Sequence, residues 1–338
     1  MPVLRPSVRL LSFRNLAVLS LMCLLAFIAV LVGLRVGTVD TSFTQLTDAL
    51  LNTEPSLTGR IVREVRLPRV LNGFLVGGML ALAGALMQVL LRNPLAEPYV
   101  LGISGGAAVF VLLAILAGMG GVALNLSAFT GAFISMSLVF VLSRLGGDWN
   151  ALRILLTGVV VAAGWSAVIS FILVVSPASQ VHSMLFWLMG DLAYTQYTVW
   201  NLWLLLIVMV LCLVNARGMN LLAQGELSAA ALGVSVRALR YFIYFAASLL
   251  TSVAVMQAGS IGFVGLVVPH MVRLLLGGDH RLLIPVSVLS GGCLLVIADA
   301  LARTLIAPQQ LPVGVLTAMI GVPLFLLLLQ TMVIRQRP

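Results

Sequence analysis

Long apolar runs separated by short polar clusters organise this chain from one end to the other. Arg14 and Arg35 bracket an uncharged run, 15–34, and a second run covers 70–91. The stretch from Pro98 to Ser143 carries no charge and is too long for one membrane crossing. The turn-forming GMGG at Gly118–Gly121 divides it into runs at 98–117 and 122–142. Further runs occupy 154–175, 196–216, 241–258, 261–277, 282–301 and 313–334. Runs of about 20 apolar residues match a hydrocarbon layer of about 30 Å at about 1.5 Å per helical residue. Backbone groups in lipid must be satisfied within the segment, so such runs predict helices rather than barrel strands. The pattern therefore predicts an all-α polytopic membrane protein with about ten transmembrane helices in one domain. A cleaved leader does not fit the first run, which is longer than a leader's apolar core and lacks a small-residue cleavage site. The stretch SPASQVHSMLFWLMGD, Ser176–Asp191, is too short and too punctuated to cross. It predicts an interfacial helix with Phe186 and Trp187 at headgroup level.

Composition removes the soluble alternatives. Of 338 residues, 61% are hydrophobic and only 9% charged, where soluble domains carry about a quarter. The formal charge of +9 comes from nineteen arginines with no lysine. With ten spans both termini share a side, and that side holds thirteen arginines against four acids, while the other holds six of each. The positive-inside rule then makes both termini cytoplasmic. The bilayer, not nucleic acid, is the partner this charge predicts. Four of the six outer arginines fall in RIVREVRLPR, Arg60–Arg69, where positive charge is normally scarce. Arg66 and Arg69 bracket Pro68 ahead of the second run, where snorkelling to headgroups is the simplest use. Arg303 lies four residues after Asp299, a helical pairing distance.

Little in the spans suggests chemistry. Cys23, Cys212 and Cys293 are scattered and odd in number, which predicts apolar filler rather than a disulfide or metal site. His182, His270 and His280 have no metal-ligand spacing. No nucleophile–base pair or acidic dyad lies within the spans, which argues against an intramembrane enzyme. An ion-coupled secondary transporter normally needs an ionisable group at mid-depth, and the ten acids all fall at expected span ends or in loops. A chain without lysine cannot hold a G-x-x-x-x-G-K-[ST] phosphate loop. RNPLAEP, Arg92–Pro98, reads locally as a helix start, with Asn93 as cap, Pro94 at the first turn and Glu97 near the positive end. Small residues recur at four-residue spacing, as in Gly73/Gly77 and Gly102/Gly106, and permit close packing in lipid.

RLPR at Arg66–Arg69, RNPLAEP followed by YVLGISGGAA, GFVGLVVPHMVR at Gly262–Arg273, GDHR at Gly278–Arg281 and LPVGVLTAMIGVPLFLLLL at Leu311–Leu329 together resemble the FecCD family. These are permease subunits of binding-protein-dependent ABC importers for iron-siderophores, haem and cobalamin. The resemblance implies a type II ABC importer permease fold, like that of vitamin B12 permeases, in which spans two to five and seven to ten are inverted repeats. It implies a homodimer in the cell inner membrane with two cytoplasmic ATPase subunits and one outer solute-binding protein. ATP and Mg would be used by the ATPase, with no cofactor or metal on this chain. Iron-siderophore is the expected cargo, with cobalamin and haem as alternatives. By the same resemblance, Gln224, Gly225, Glu226, Leu227, Ser228, Ala229 and Ala230, in the segment 220–240, meet the ATPase. Ser143, Arg144, Gly146 and Gly147 fall in a cytoplasmic gate, and Arg66, Arg69 and Arg303 meet glutamates of the binding protein.

Overall fold

The computed structural model describes residues 13–37, 41–51, 56–145, 151–193 and 199–335, and among these every regular element is helical. In chain order they are α1 (Phe13–Arg35), α2 (Phe43–Leu51), α3 (Leu57–Arg60), α4 (Leu67–Leu90), α5 (Ile103–Leu116), α6 (Val122–Arg144), α7 (Ala151–Val175) and α8 (Ala178–Met189). They continue with α9 (Val199–Val214), α10 (Ala216–Gln224), α11 (Glu226–Ala231), α12 (Val236–Ala258), α13 (Val264–Leu276), α14 (His280–Thr304) and α15 (Val313–Arg335). Among the described residues six helices are long and apolar enough to cross a membrane, and the bent pair α9–α10 makes a seventh candidate. Shorter apolar helices lie within the expected runs at 98–117, 261–277 and 313–334.

The core is α4. Its apolar window is 89% buried, against 11% for α7 and 17% for α1 at the periphery. Glycine explains how α4 packs so closely against its neighbours α13 and α14. A side chain on Gly77 would run into the Gly291 carbonyl of α14, and one on Gly84 into the Gly265 carbonyl of α13. Gly106 and Gly131 bring α5 and α6 together in the same way. Lipid tails are as apolar as leucine, so backbone proximity and dispersion hold such helices together.

Two expected crossings are only half-length. At about 1.5 Å per residue, α5 and α13, of 14 and 13 residues, are too short for the hydrocarbon layer. Each starts inside the bundle on a left-handed residue, Gly102 (φ 70°) and Phe263 (φ 69°). Gly102 packs level with Ser135 and Ala162, near the middles of α6 and α7, and Phe263 packs on Gly321 within α15. The connections before them therefore dip to mid-depth. This corrects the reading of RNPLAEP as a helix start. Arg92 leaves α4 with φ 47°, Asn93 Oδ1 accepts from the Leu95 N–H (2.9 Å) within the turn, and helix resumes only at Pro98. The expected crossing at 196–216 is also bent, by 61° at Asn215. There the side-chain amide donates to the Leu211 carbonyl (2.9 Å), competing with the helix's own bonds.

Candidate functional site

Three clusters hold most of the polar chemistry. The first is at one end of the bundle. Leu57 to Leu90 is a single 34-residue helix, because α3 runs through a π-helical stretch, Ile61–Arg66, into α4. Pro68 lies inside this continuous helix, just past the π-helical stretch, where the hydrogen-bond register changes. Arg66 and Arg69 thus lie three apart on a helix, facing inward. Arg69 donates to both carboxylate oxygens of Asp299, from Nε at 3.0 and 3.1 Å and from Nη2 at 2.8 Å. Its Nη1 donates to Gln310 (3.0 Å), and Asp191 lies 3.6 Å from Nη2. Arg303 reaches the same Asp299 through Nε (3.0 Å) and donates to the carbonyls of Val36 and Gly33, both at 3.0 Å. Arg66 Nη1 donates to the carbonyls of Leu34 (3.0 Å) and Arg35 (3.1 Å) and to Thr41 Oγ1 (2.9 Å). Two arginines therefore satisfy the open carbonyls at the C-terminus of α1, where cations are also favoured by the helix dipole.

Arg66, Arg69 and Arg303 are 4%, 7% and 5% exposed, and Asp299 is 2% exposed. The expectation that Arg66 and Arg69 snorkel to headgroups is corrected: one continuous helix turns Arg66 onto the end of α1 and Arg69 onto Asp299 of α14. The i,i+4 contact between Asp299 and Arg303 is present, as their spacing implies. Arg69's share in it, across 230 residues of sequence, has no local signal. The exposed pair nearby, Arg60 with Glu64 at 3.5 Å, is of the solvent-screened kind that contributes little.

The second cluster joins the two mid-depth connections. Glu97 Oε1 accepts from the Phe263 N–H (2.9 Å), and the Tyr99 hydroxyl accepts from the Ile261 N–H (3.1 Å). Two backbone donors ahead of α13 are met in this way by side chains ahead of α5. On the other flank, Trp165 Nε1 donates to Ser135 Oγ (2.8 Å), which donates to the Gly102 carbonyl (2.8 Å). The expectation that no acid lies at mid-depth fails at Glu97. A dipping connection looks like any loop in sequence.

The third cluster is at the opposite end. Glu226, the first residue of α11, pairs with Arg92 (3.0 Å) at the end of α4 and with Arg240 of α12. Gly225, at φ 142°, makes the corner between α10 and α11 that only glycine adopts easily. Gln224, Leu227, Ser228 and Ala230 are exposed, Gly225 and Glu226 half-buried, and Ala229 buried. Asn220 of α10 donates to Asp279 (2.9 Å) and accepts from the His280 N–H (2.9 Å), tying this corner to the α13–α14 turn. Burial opposes the charge of Asp279. The Asn220 amide, the Arg281 N–H and the charges of Arg281 and His280 outweigh it and hold the carboxyl below its ordinary range. Of the expected gate, Ser143 is buried and donates to the Phe140 carbonyl (3.0 Å), while the Arg144 guanidinium lies over Phe140 and Tyr241. Gly146 and Gly147 lie outside the described residues. Among the described residues no His, Cys, Asp or Glu cluster is arranged to hold a metal.

The chain is 38% identical over 333 residues to the hemin transport system permease protein HmuU of Yersinia pestis, covering 94% of this chain and 96% of that one. It is 41% identical to the cobalamin import system permease protein BtuC of Halobacterium salinarum, with 83% and 76% covered. To the Fe(3+) dicitrate transport system permease protein FecD of Escherichia coli it is 39% identical, with 80% and 86% covered. A solved structure titled as an inward-facing conformation of a metal-chelate type ABC transporter superposes with a TM-score of 0.81 at 32% identity, covering 94% of this chain and 99% of that one. The helical arrangement is thus that of a type II ABC importer permease, and the FecCD transport family matches residues 24–331. The chain is a multi-pass membrane protein of the FecCD transport family.

Proposed function

We propose that this chain is the permease subunit of an ATP-driven importer for a metal chelate, with an iron-siderophore as first choice and haem or cobalamin as alternatives. The observation that carries the reading is likeness along nearly the whole chain to permeases named for hemin, cobalamin and ferric dicitrate. In this reading two copies pair around a translocation path in the inner membrane. The Glu226 end and both termini face the cytoplasm, and two ATPase subunits dock from below. They meet Gln224–Ala230, whose exposed Leu227 and Ser228 offer contact area while the Glu226 pairs hold the corner rigid. A rigid element there passes nucleotide-driven movement to α4 and α12 together.

The solute-binding protein docks at the Arg66 end. Three guanidiniums surround two carboxylates there, so a positive excess remains for an acidic partner. Glutamates of that partner reach Arg66, Arg69 and Arg303 by exchange with contacts already made, such as Asp191 or Gln310. Hydrolysis by the partner alone accounts for the missing phosphate loop. Replacing Gln224–Ala231 by a Gly/Ser linker is the test. The chain should still insert while losing ATPase copurification and ATP-driven uptake. Survival of both would overturn the coupling role, and ATP hydrolysis by the isolated chain would overturn the permease assignment.

A further inference from the structure

Two arginines at the Glu226 end lie at headgroup depth without an acid to meet. Arg144 is the last residue of α6 and Arg237 the second of α12, and both helices are apolar spans of 23 residues. They pack side by side, with the Phe140 and Tyr241 rings 6.0 Å apart, so both guanidiniums stand where a span leaves the hydrocarbon layer. At the same end Arg92 and Arg240 share Glu226. Arg144 instead lies 5.4 Å from the centre of the Phe140 ring and 5.6 Å from that of Tyr241. Among the described residues no side-chain hydrogen bond or ion pair engages Arg144 or Arg237, and both are exposed. The rings attract the Arg144 cation and hold its side chain in place, while its N–H donors stay open to an oxyanion.

Away from this end the seam between α6 and α12 is apolar. Arg237, Tyr241, Phe245 and Leu249 recur every four residues along one face of α12. Phe245 and Leu249 are exposed, whereas Ala246, Ala247 and Leu250 beside them are buried. Val141 of α6 is exposed as well. In a bilayer acyl chains cover such a strip, and a lipid whose chain lies along it brings its own phosphate level with Arg144 and Arg237. A soluble anion would meet the charges and leave the strip unused. The start of α12 has no side-chain cap, so the positive end of its dipole adds to the field there.

We infer that the α6–α12 seam binds an anionic phospholipid, with Arg144 and Arg237 on its phosphate and an acyl chain along Phe245 and Leu249. The bound lipid bridges the two helices at their ends. A zwitterionic headgroup carries its own cation beside the phosphate and leaves both arginines as excess charge, so a headgroup without one is preferred.

Native mass spectrometry of the full chain tests this, with dioleoylphosphatidylglycerol titrated into the detergent solution and dioleoylphosphatidylcholine as the zwitterionic comparison. The first phosphatidylglycerol should bind about tenfold more tightly than phosphatidylcholine, as two guanidiniums near an anionic lipid imply. Arg144→Gln should weaken it about fivefold, and adding Arg237→Gln should abolish the preference. Arg14→Gln is the control, because Arg14 is exposed at the same end on α1, which packs on α14 and α4 away from the seam. It should change phosphatidylglycerol binding by less than about twofold. Equal losses from Arg14→Gln and Arg144→Gln would reduce the effect to general surface charge and overturn the site. Glycerophosphoglycerol, the same headgroup without acyl chains, should not displace the lipid even in excess. Displacement would make this a site for free phosphate esters and overturn the lipid assignment. Unchanged binding in Arg144→Gln would also overturn it, and if paired copies separate in the same spectra the seam is a contact between copies. The measurement needs neither ATPase nor cargo, so its outcome is independent of the permease reading.

Discussion

Asp299→Ala is the sharpest perturbation of the Arg66 end. Asp299 is 2% exposed and holds Arg69 and Arg303 at 2.8–3.1 Å, with each guanidinium less than a tenth exposed. Truncation leaves both cations buried, with Asp191 at 3.6 Å from Arg69 the remaining counter-charge among the described residues. Breaking a buried pair from one side costs about 3–5 kcal/mol. Arg303→Met is the comparison. It removes one cation and its bonds to the Gly33 and Val36 carbonyls, but Asp299 keeps the two-pronged Arg69, so the cost should be about 1–3 kcal/mol. For a large chain each kcal/mol shifts melting by about 2 °C. Asp299→Ala should therefore melt about 6–10 °C below the native protein in a detergent thermal-shift assay, and clearly below Arg303→Met. Salt sharpens the test. Raising ionic strength from about 0.1 to 1 M shortens the screening length from about 10 to 3 Å, yet should barely move the native melting point, since the network is out of water. An Asp299→Ala protein melting within about 2 °C of native, or an Arg303→Met protein melting lower than it, would refute this account of the network.

Two further outcomes follow from the packing. Gly84→Ala would press a methyl group into the Gly265 carbonyl, backbone against backbone, and should cost about 3 kcal/mol or lose the fold. Gly164→Ala, helical with nothing within 4 Å, should raise stability by about 0.5–1 kcal/mol; both are read by thermal shift, and similar effects would contradict the close approach of α4 and α13. Ser135→Ala removes the acceptor for Trp165 and the donor to the Gly102 carbonyl. It should cost about 1–3 kcal/mol and shift indole emission, and an unmoved spectrum would argue against the bridge.

What the sequence revealed depended on how local each signal was. Apolar runs located the helices because span length is a property of contiguous residues. Depth is not. Pro98–Ala117 and Ile261–Gly277 are as apolar as full crossings, and only packing on Ser135, Ala162 and Gly321 reveals that their helices begin halfway across. Glu97 reads in sequence as part of a helix start, and it lies instead in a connection that dips into the bundle. The arginines of RLPR stood out as a cluster, and the pairing of Asp299 with Arg303 followed from spacing. Their burial did not follow, because it depends on a helix that runs unbroken through Pro68 and on Asp299, which is 230 residues from Arg69.

The fastening of α1 bears on how the chain is made. A ribosome delivers α1 first. Its Leu34 and Arg35 carbonyls find Arg66 after about thirty more residues have emerged. The Gly33 and Val36 carbonyls wait for Arg303, 270 and 267 residues further along. The first helix to enter the bilayer is therefore among the last to be secured, and through most of synthesis it is held at that end by a single arginine. Nascent chains halted before α14 have α1 inserted but not locked, so quality control in the membrane would meet this protein as an unfinished bundle until its final quarter is made.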